Sequence, residues 1–123
     1  MSKGRILIVE DNMDTYELVR FILEKNGYDT FLAMNGRDGV NAASKQRPDL
    51  IIMDLSMPEM DGWTATRLIK QNTDTSPIPL IALTAHALPG DRQRAFDSGC
   101  DEYITKPMDL LELVETVDHW IRI

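Results

Sequence analysis

Cysteine, long apolar runs and positive charge are all scarce in this chain, and each scarcity excludes a class of protein. A single cysteine, Cys100, stands among the 123 residues, so no disulfide forms within the chain and a reducing compartment is expected. No apolar run approaches the roughly 18 residues of a membrane span. The four aliphatic residues at positions 6–9 are too few for a signal peptide. These features predict a cytoplasmic protein.

Basic residues are outnumbered, with 13 Lys and Arg against 20 Asp and Glu and a formal net charge of −7. Such a surface repels phosphate backbones and anionic lipid, so binding to nucleic acid or to membranes is not expected. Hydrophobic residues make up 43% of the chain and charged residues 27%, as in ordinary globular proteins. The length predicts one domain over residues 1–123.

Five short apolar runs alternate with stretches of helical patterning. The runs lie at residues 6–9, 30–33, 50–53, 80–83 and 103–104. The first, third and fourth have no polar alternation, as expected of strands buried on both faces of a parallel sheet, whereas the second and fifth predict edge strands. The pattern predicts an α/β fold with a doubly wound, open parallel sheet of five βα units. For such a sheet we expect the flavodoxin-like strand order 2-1-3-4-5.

Capping residues and helical spacing predict where the helices lie. Asn12 or Asp14 caps the first helix. Its predicted inward face comprises Leu18, Val19, Ile22 and Leu23. The other predicted helices span 36–45, 62–71 after Asp61, a segment from Pro89 to near Gly99, and 110–121 after Asp109.

Polar residues follow four of the predicted strands, at the sheet edge where ligands bind in open α/β folds. They are Glu10 and Asp11, Asp54, Thr84, and Lys106. Each has an ordinary structural explanation when taken alone, such as a helix cap, a turn residue or a solvated charge. Three carboxylates, a hydroxyl and an ammonium at neighbouring strand ends together predict a functional site.

The chemistry of that set indicates phosphoryl transfer. Clustered carboxylates repel one another unless a cation lies among them, and their oxygen atoms suit Mg²⁺. A metal beside a lysine and a hydroxyl stabilises charge on a transferring phosphoryl group. An aspartate carboxylate is itself a competent nucleophile towards phosphorus.

Four segments of the chain resemble the receiver domain of two-component response regulators. They are Val9-Glu10-Asp11-Asn12, the Asp-x-x-Met-Pro-x-Met-Asp-Gly stretch that starts at Asp54, Leu83-Thr84-Ala85, and Tyr103-Ile104-Thr105-Lys106-Pro107. The resemblance runs from Arg5 to about Ile121. It implies that Asp54 accepts a phosphoryl group from a phosphohistidine. It further implies that Asp11, Asp54 and the backbone carbonyl of Ser56 bind Mg²⁺, with Glu10 bound through water.

The resemblance also implies a switch. Lys106 and Thr84 are expected to hold oxygens of the attached phosphoryl group, and Tyr103 is expected to turn inward when Thr84 moves. Family members usually have a cis peptide bond before the proline that matches Pro107. The fourth helix has only Phe96 as a large apolar anchor, so this helix is expected to move easily.

Partners are expected to be proteins. A histidine kinase or histidine phosphotransferase is expected to dock near the first helix. There Tyr16 and Phe21 are large apolar residues outside the predicted inward face. The downstream target is expected on the face formed by helix four, strand five and helix five. Because the sequence stops soon after its last predicted helix, we expect a stand-alone receiver of the chemotaxis or cell-division type, monomeric or dimerising on phosphorylation.

Three alternatives remain open from the sequence. The chain is also consistent with a receiver domain excised from a hybrid histidine kinase. A Mg²⁺-dependent phosphatase with an aspartyl-phosphate intermediate is disfavoured, because Ser56 stands where such haloacid-dehalogenase-like enzymes have a second aspartate. A flavin- or nucleotide-binding module would need a Gly-, Ser- or Thr-rich phosphate loop after the first strand, where Glu10 and Asp11 stand instead. We therefore expect a signalling protein rather than an enzyme with a separate substrate.

Overall fold

Five strands alternate with five helices in the computed structural model, which describes residues 2–55, 61–85 and 88–122. The strands are β1 Arg5–Val9, β2 Asp29–Ala33, β3 Leu50–Asp54, β4 Leu80–Thr84 and β5 Glu102–Thr105. The helices are α1 Met13–Lys25, α2 Gly36–Gln46, α3 Gly62–Gln71, α4 Asp91–Asp97 and α5 Leu110–Arg122. No helix in the described part of the chain is long and apolar enough to cross a membrane.

The sheet is parallel throughout, and its order is β2-β1-β3-β4-β5. This confirms the predicted strand order and the two predicted edge strands. The register pairs Val9 with Met53, Asp54 with Leu83, and Thr84 with Thr105. The carboxyl ends of β1, β3, β4 and β5 therefore lie side by side at one edge of the sheet.

Two apolar layers cover the faces of the sheet. Alternate residues of β1 point to opposite faces, since Leu7 and Val9 belong to one buried cluster and Ile6 and Ile8 to the other. The first cluster is completed by α2, α3 and α4, through Ala43, Ala65, Ile69 and Ala95. The second is completed by α1 and α5, through Val19, Leu23, Leu113 and Val117. Both faces are thus buried, which is why the central strands are uninterrupted apolar runs.

Side-chain caps fix the starts of four helices, among them α2, where Asn35 Oδ1 accepts from the Asp38 amide at 2.8 Å. Asn12, rather than Asp14, caps α1, and its Oδ1 accepts a hydrogen bond from the amide of Thr15 at 3.1 Å. Asp61 caps α3 in the same way, accepting from the amide of Thr64 at 2.7 Å. Asp109 accepts from the amides of Leu111 and Glu112 at the start of α5. These caps hold helix starts close to the strand ends that precede them.

The fourth helix is shorter than predicted. It begins at Asp91 rather than at Pro89, because Leu88 to Asp91 form a turn in which the Asp91 amide donates to the Leu88 carbonyl at 3.0 Å. Gly90 has φ of +90° and ψ of −14°, which with proline before it is the geometry of a type II turn. Pro89 and Gly90 are therefore the two central turn residues, and α4 starts after them.

The prediction for the inward face of α1 was wrong at one position. Val19 and Leu23 are fully buried, but Leu18 is 48% exposed. Leu18 lies about 100° around the helix from Val19, and it lines an apolar groove of about 420 Å³ with Thr15, Ala85, Lys106, Pro107 and Met108. Its side chain thus contributes to a surface beside the strand ends rather than to the core.

Candidate functional site

The predicted polar residues meet where the carboxyl ends of the strands lie together. Glu10, Asp54 and Thr84 are almost fully buried, at 1%, 3% and 3% exposure, and Asp11 is exposed. Lys106 follows β5, and its backbone amide donates to the Thr84 carbonyl at 2.7 Å. Adjacent strands therefore deliver two carboxylates and a hydroxyl to a sheltered position, with a third carboxylate at its rim.

Lys106 is the cation of this cluster. Its Nζ donates to Glu10 Oε1 at 3.0 Å and lies 3.8 Å from Asp54 Oδ2, with only 18% of its side chain exposed. The peptide bond between Lys106 and Pro107 is cis, as the resemblance implied. With its carboxylates ionised, the cluster carries three negative charges and one positive charge. A divalent cation is the group whose charge balances the remainder.

Glu10 is the carboxyl group whose proton affinity the site changes most clearly. Burial, followed by the hydrogen bond and the negative charge of Asp54, raises the pKa of Glu10 to about 7, although the hydrogen bond and charge of Lys106 act in the opposite direction. The other oxygen, Oε2, accepts a hydrogen bond from the Asn12 amide at 3.3 Å. Below about pH 7 the Glu10 carboxyl therefore binds a proton, unless a second cation besides Lys106 lies beside it and stabilises the ionised form.

The three carboxylates have the geometry of a metal site. Glu10, Asp11 and Asp54 each offer an oxygen atom, and these atoms lie within 4.8 Å of one another. A set of oxygen donors fits a hard divalent ion such as Mg²⁺, which takes few protein ligands and keeps several waters. Ser56, whose backbone carbonyl was the remaining predicted ligand, lies outside the described residues.

The start of α3 is packed directly against the backbone of Asp54, a contact that sequence reasoning did not find. A Cβ atom on Gly62 would lie 2.1 Å from the Asp54 carbonyl oxygen and 2.5 Å from the Leu55 Cα. Only glycine fits at this distance, because both neighbouring atoms belong to the backbone. The sequence signal is the Asp61-Gly62 pair soon after a strand that ends in aspartate; this pair predicts a helix cap and ends the family motif, but neither indicates the contact with the Asp54 backbone.

Tyr103 lies on β5 and is half-buried against the core cluster on the α4 side of the sheet. Its hydroxyl is shielded from solvent and makes no hydrogen bond with any residue that the structure describes. Burial is the main reason why the pKa of this hydroxyl is raised. The structure therefore places the predicted switch tyrosine on β5, separated from the Asp54 strand by β4, and its inward rotation stays a prediction.

An apolar surface adjoins the cluster. It comprises the groove that Leu18 lines and the nearby exposed side chains of α1, in which Met13 is 45% and Phe21 61% exposed. Lys106 and Ala85 line the groove as well, so it opens directly beside the carboxylates. We call this region the α1 surface. Exposed apolar side chains next to a reactive site are typical of protein-docking surfaces.

Comparison with known proteins gives consistent results along the whole chain. The sequence model of the response regulator receiver domain matches residues 6–118. The polar-differentiation response regulator DivK of Brucella anthropi is 38% identical over 116 residues, which cover 94% of each chain. DivK of Brucella ovis is 36% identical over 121 residues, which cover 98% of each chain.

Solved structures include receiver domains of histidine kinases. One from Pseudomonas aeruginosa PAO1 has a TM-score of 0.90 at 38% identity over 98% of each chain, and holds a magnesium ion in its active-site cleft. Another, from Syntrophus aciditrophicus, has a TM-score of 0.91 at 43% identity and covers 97% of this chain and 90% of that one. With the strand order, the clustered carboxylates and the family match over nearly all of its length, this chain belongs to the receiver domains of response regulators.

Proposed function

We propose that this chain accepts a phosphoryl group from a phosphohistidine onto Asp54, with Mg²⁺ bound by the neighbouring carboxylates, and that the phosphoryl group changes its protein contacts. The observation that carries the proposal is the convergence of one ammonium and three carboxylates around Asp54. Glu10, Asp11 and Asp54 form a group suited to a divalent ion, and Lys106 lies 3.8 Å from Asp54.

Different residues of the chain have different roles in phosphoryl transfer. An Asp54 oxygen forms a bond to phosphorus as the bond from phosphorus to the histidine nitrogen breaks, and the nitrogen leaves with the electron pair. Asp11, Asp54 and the Ser56 carbonyl would hold Mg²⁺, with Glu10 acting through water, and the bound ion would supply positive charge to the phosphoryl oxygens. Lys106 supplies a second positive charge, and the Thr84 hydroxyl donates a hydrogen bond to the attached group.

The partners are proposed to be proteins on two different faces. The α1 surface would receive the histidine kinase or phosphotransferase, since a donor histidine must approach Asp54 from outside the sheet edge. The face of α4, β5 and α5 would bind the downstream target. Relatives include DivK regulators and receiver domains of histidine kinases, and the same acceptor chemistry serves in either arrangement. We propose no substrate turnover beyond dephosphorylation of the chain itself.

The first test is the intact mass after incubation with acetyl phosphate. We expect wild-type protein to gain one phosphoryl group with Mg²⁺ and none without it, and Asp54→Asn to gain none in either case. If wild type gains nothing, beryllofluoride binding in the presence of Mg²⁺ is measured by calorimetry. Failure to bind this phosphoryl mimic would overturn the proposal, whereas binding by wild type and not by Asp54→Asn would support an acceptor whose phosphate is short-lived.

Docking at the α1 surface predicts an effect that depends on the donor. Phe21→Ser is expected to slow phosphotransfer from a phosphorylated histidine phosphotransferase by roughly tenfold to a hundredfold, because contact with an aromatic side chain contributes about 1.5–3 kcal/mol when it is buried. The rate with acetyl phosphate should stay the same, since so small a donor needs no docking surface. Quenched-flow phosphotransfer assays measure both rates.

The matched control for this surface is Leu111→Ser on α5, which removes a side chain that is 72% exposed. Leu111 does not line the groove of the α1 surface, and its replacement should leave both rates unchanged. Equal slowing by Leu111→Ser, or an unchanged rate from the phosphotransferase in Phe21→Ser, would exclude Phe21 from the docking surface.

A further inference from the structure

One side-chain contact joins α3, which is packed against the end of β3, to α4, which has a single buried residue. The guanidinium carbon of Arg94 lies 4.2 Å from the ring centroid of Trp63. Trp63 is in the first turn of α3, and Arg94 is in α4. A cation stacked this closely on an indole ring is among the stronger contacts available to partly exposed side chains.

The α3 end of this contact is held tightly against Asp54. Trp63 follows Gly62, whose Cα leaves no room for a side chain against the Asp54 carbonyl. Asp61 caps the same turn through the Thr64 amide at 2.7 Å. Movement of the β3 end therefore moves the first turn of α3, and the Trp63 ring with it.

The α4 end is held loosely. The helix has seven residues, all described, and Ala95 is the only buried one among them. Its N-cap, Gly90, offers no side-chain hydrogen bond. Phe96 packs partly against the core, and Arg92 stacks on Phe96 within the same helix at 5.3 Å. Besides the buried Ala95, the packing of Phe96 and the neighbouring strand β5, the Arg94 stack is the side-chain contact that ties α4 to α3.

From these contacts we infer that Trp63 and Arg94 are positioning residues that couple the chemical state of Asp54 to the position of α4, and that their stack stabilises the arrangement present before phosphorylation. The inference rests on the proposed phosphoryl acceptance by Asp54. In the present structure the stack occurs together with the contact of Lys106 with Glu10 at 3.0 Å. On this inference, a phosphoryl group on Asp54 draws Lys106 away from Glu10 and is opposed by the stack.

Coupling of this kind is reciprocal, so a change at the stack must alter binding at Asp54. Arg94→Gln removes the stack and is expected to tighten binding of beryllofluoride, in the presence of Mg²⁺, by about threefold to thirtyfold. Arg94→Lys keeps a cation that reaches the ring and should restore most of the wild-type affinity. Trp63→Leu should tighten binding as Arg94→Gln does, and Trp63→Tyr should stay near wild type because a ring remains.

Arg92→Gln is the matched control, because it removes the same charge from the same helix but leaves the contact with α3 intact. It should change the affinity less than twofold. The double variant Arg94→Gln with Trp63→Leu should bind no more tightly than either single variant, since both remove one contact. This non-additivity is a result that general loosening of the fold does not produce.

The possible outcomes distinguish failure of the coupling from failure of the proposed acceptor function. If wild type fails to bind beryllofluoride, the proposed acceptor function is wrong and the inference falls with it. If wild type binds and Arg94→Gln binds equally or more weakly, the acceptor function stands and the coupling is overturned. Equal effects of Arg92→Gln and Arg94→Gln, or additive effects in the double variant, would also overturn it.

Discussion

Gly62→Ala is expected to lower the free energy of unfolding by at least about 3 kcal/mol, at the upper end of what overpacking does to a protein. The new Cβ would lie 2.1 Å from the Asp54 carbonyl oxygen and 2.5 Å from the Leu55 Cα. Neither neighbour is a flexible side chain, so the backbone itself must move. Either α3 withdraws from the sheet or the end of β3 bends.

Bending of β3 displaces the acceptor, and withdrawal of α3 removes the helix start that is packed against the Asp54 backbone, so Gly62→Ala should also slow phosphorylation by acetyl phosphate in the fraction that is folded. Urea unfolding followed by circular dichroism gives the stability, and intact mass gives the rate. Gly4→Ala is the matched control, because its Cβ meets neighbours no closer than 3.4 Å at the opposite edge of the sheet. Similar unfolding free energies for the two variants would contradict the prediction, because they would show that the end of β3 or the start of α3 can move without loss of stability.

The sheet could be predicted from the sequence because its signals are local. Residues 50–53 and 80–83 are unbroken apolar runs, and such runs occur where a strand is covered on both faces. Residues 30–33 and 103–104 give weaker signals because edge strands are partly exposed. The polar residues that follow four of these runs were expected to lie close together, because the carboxyl ends of parallel strands all lie on the same side of the sheet. The two edge strands could thus be predicted from local signals, whereas the strand order was expected from the known arrangement of doubly wound sheets and is confirmed by the structure.

The remaining features depend on distances between segments far apart in the sequence. Leu18 fits an inward helical face by spacing alone, and only the position of α5 and its preceding loop shows that it lines a groove. Gly62 looks like an ordinary first helical residue until the Asp54 carbonyl is placed beside it. The stack of Arg94 on Trp63 joins residues in two different helices, and the spacing of residues within one helix does not predict a contact with another.

Mg²⁺ affinity is expected to fall steeply as the pH is lowered below 7, and the cause is Glu10. Burial and Asp54 raise the pKa of this carboxyl from 4.5 to about 7, so it is protonated below that value when no metal is bound. Binding of Mg²⁺ to the cluster favours the ionised form and releases the proton. The apparent affinity should therefore fall by up to tenfold for each pH unit between 7 and 5, and should level off above about 7.5.

Isothermal titration calorimetry in two buffers of different ionisation enthalpy measures both the affinity and the proton released. About one proton should leave for each Mg²⁺ bound at pH 6, and almost none at pH 8.5. Glu10→Gln is the informative control, because an amide takes up no proton: its Mg²⁺ affinity should be weaker than that of wild type at pH 8 but nearly flat from pH 8 to pH 6. Equal slopes in the two proteins would place the titrating group elsewhere in the cluster. With Mg²⁺ bound, Glu10 is already ionised and keeps its 3.0 Å contact with Lys106, so phosphorylation at fixed Mg²⁺ occupancy should not fall with pH as steeply as metal binding does.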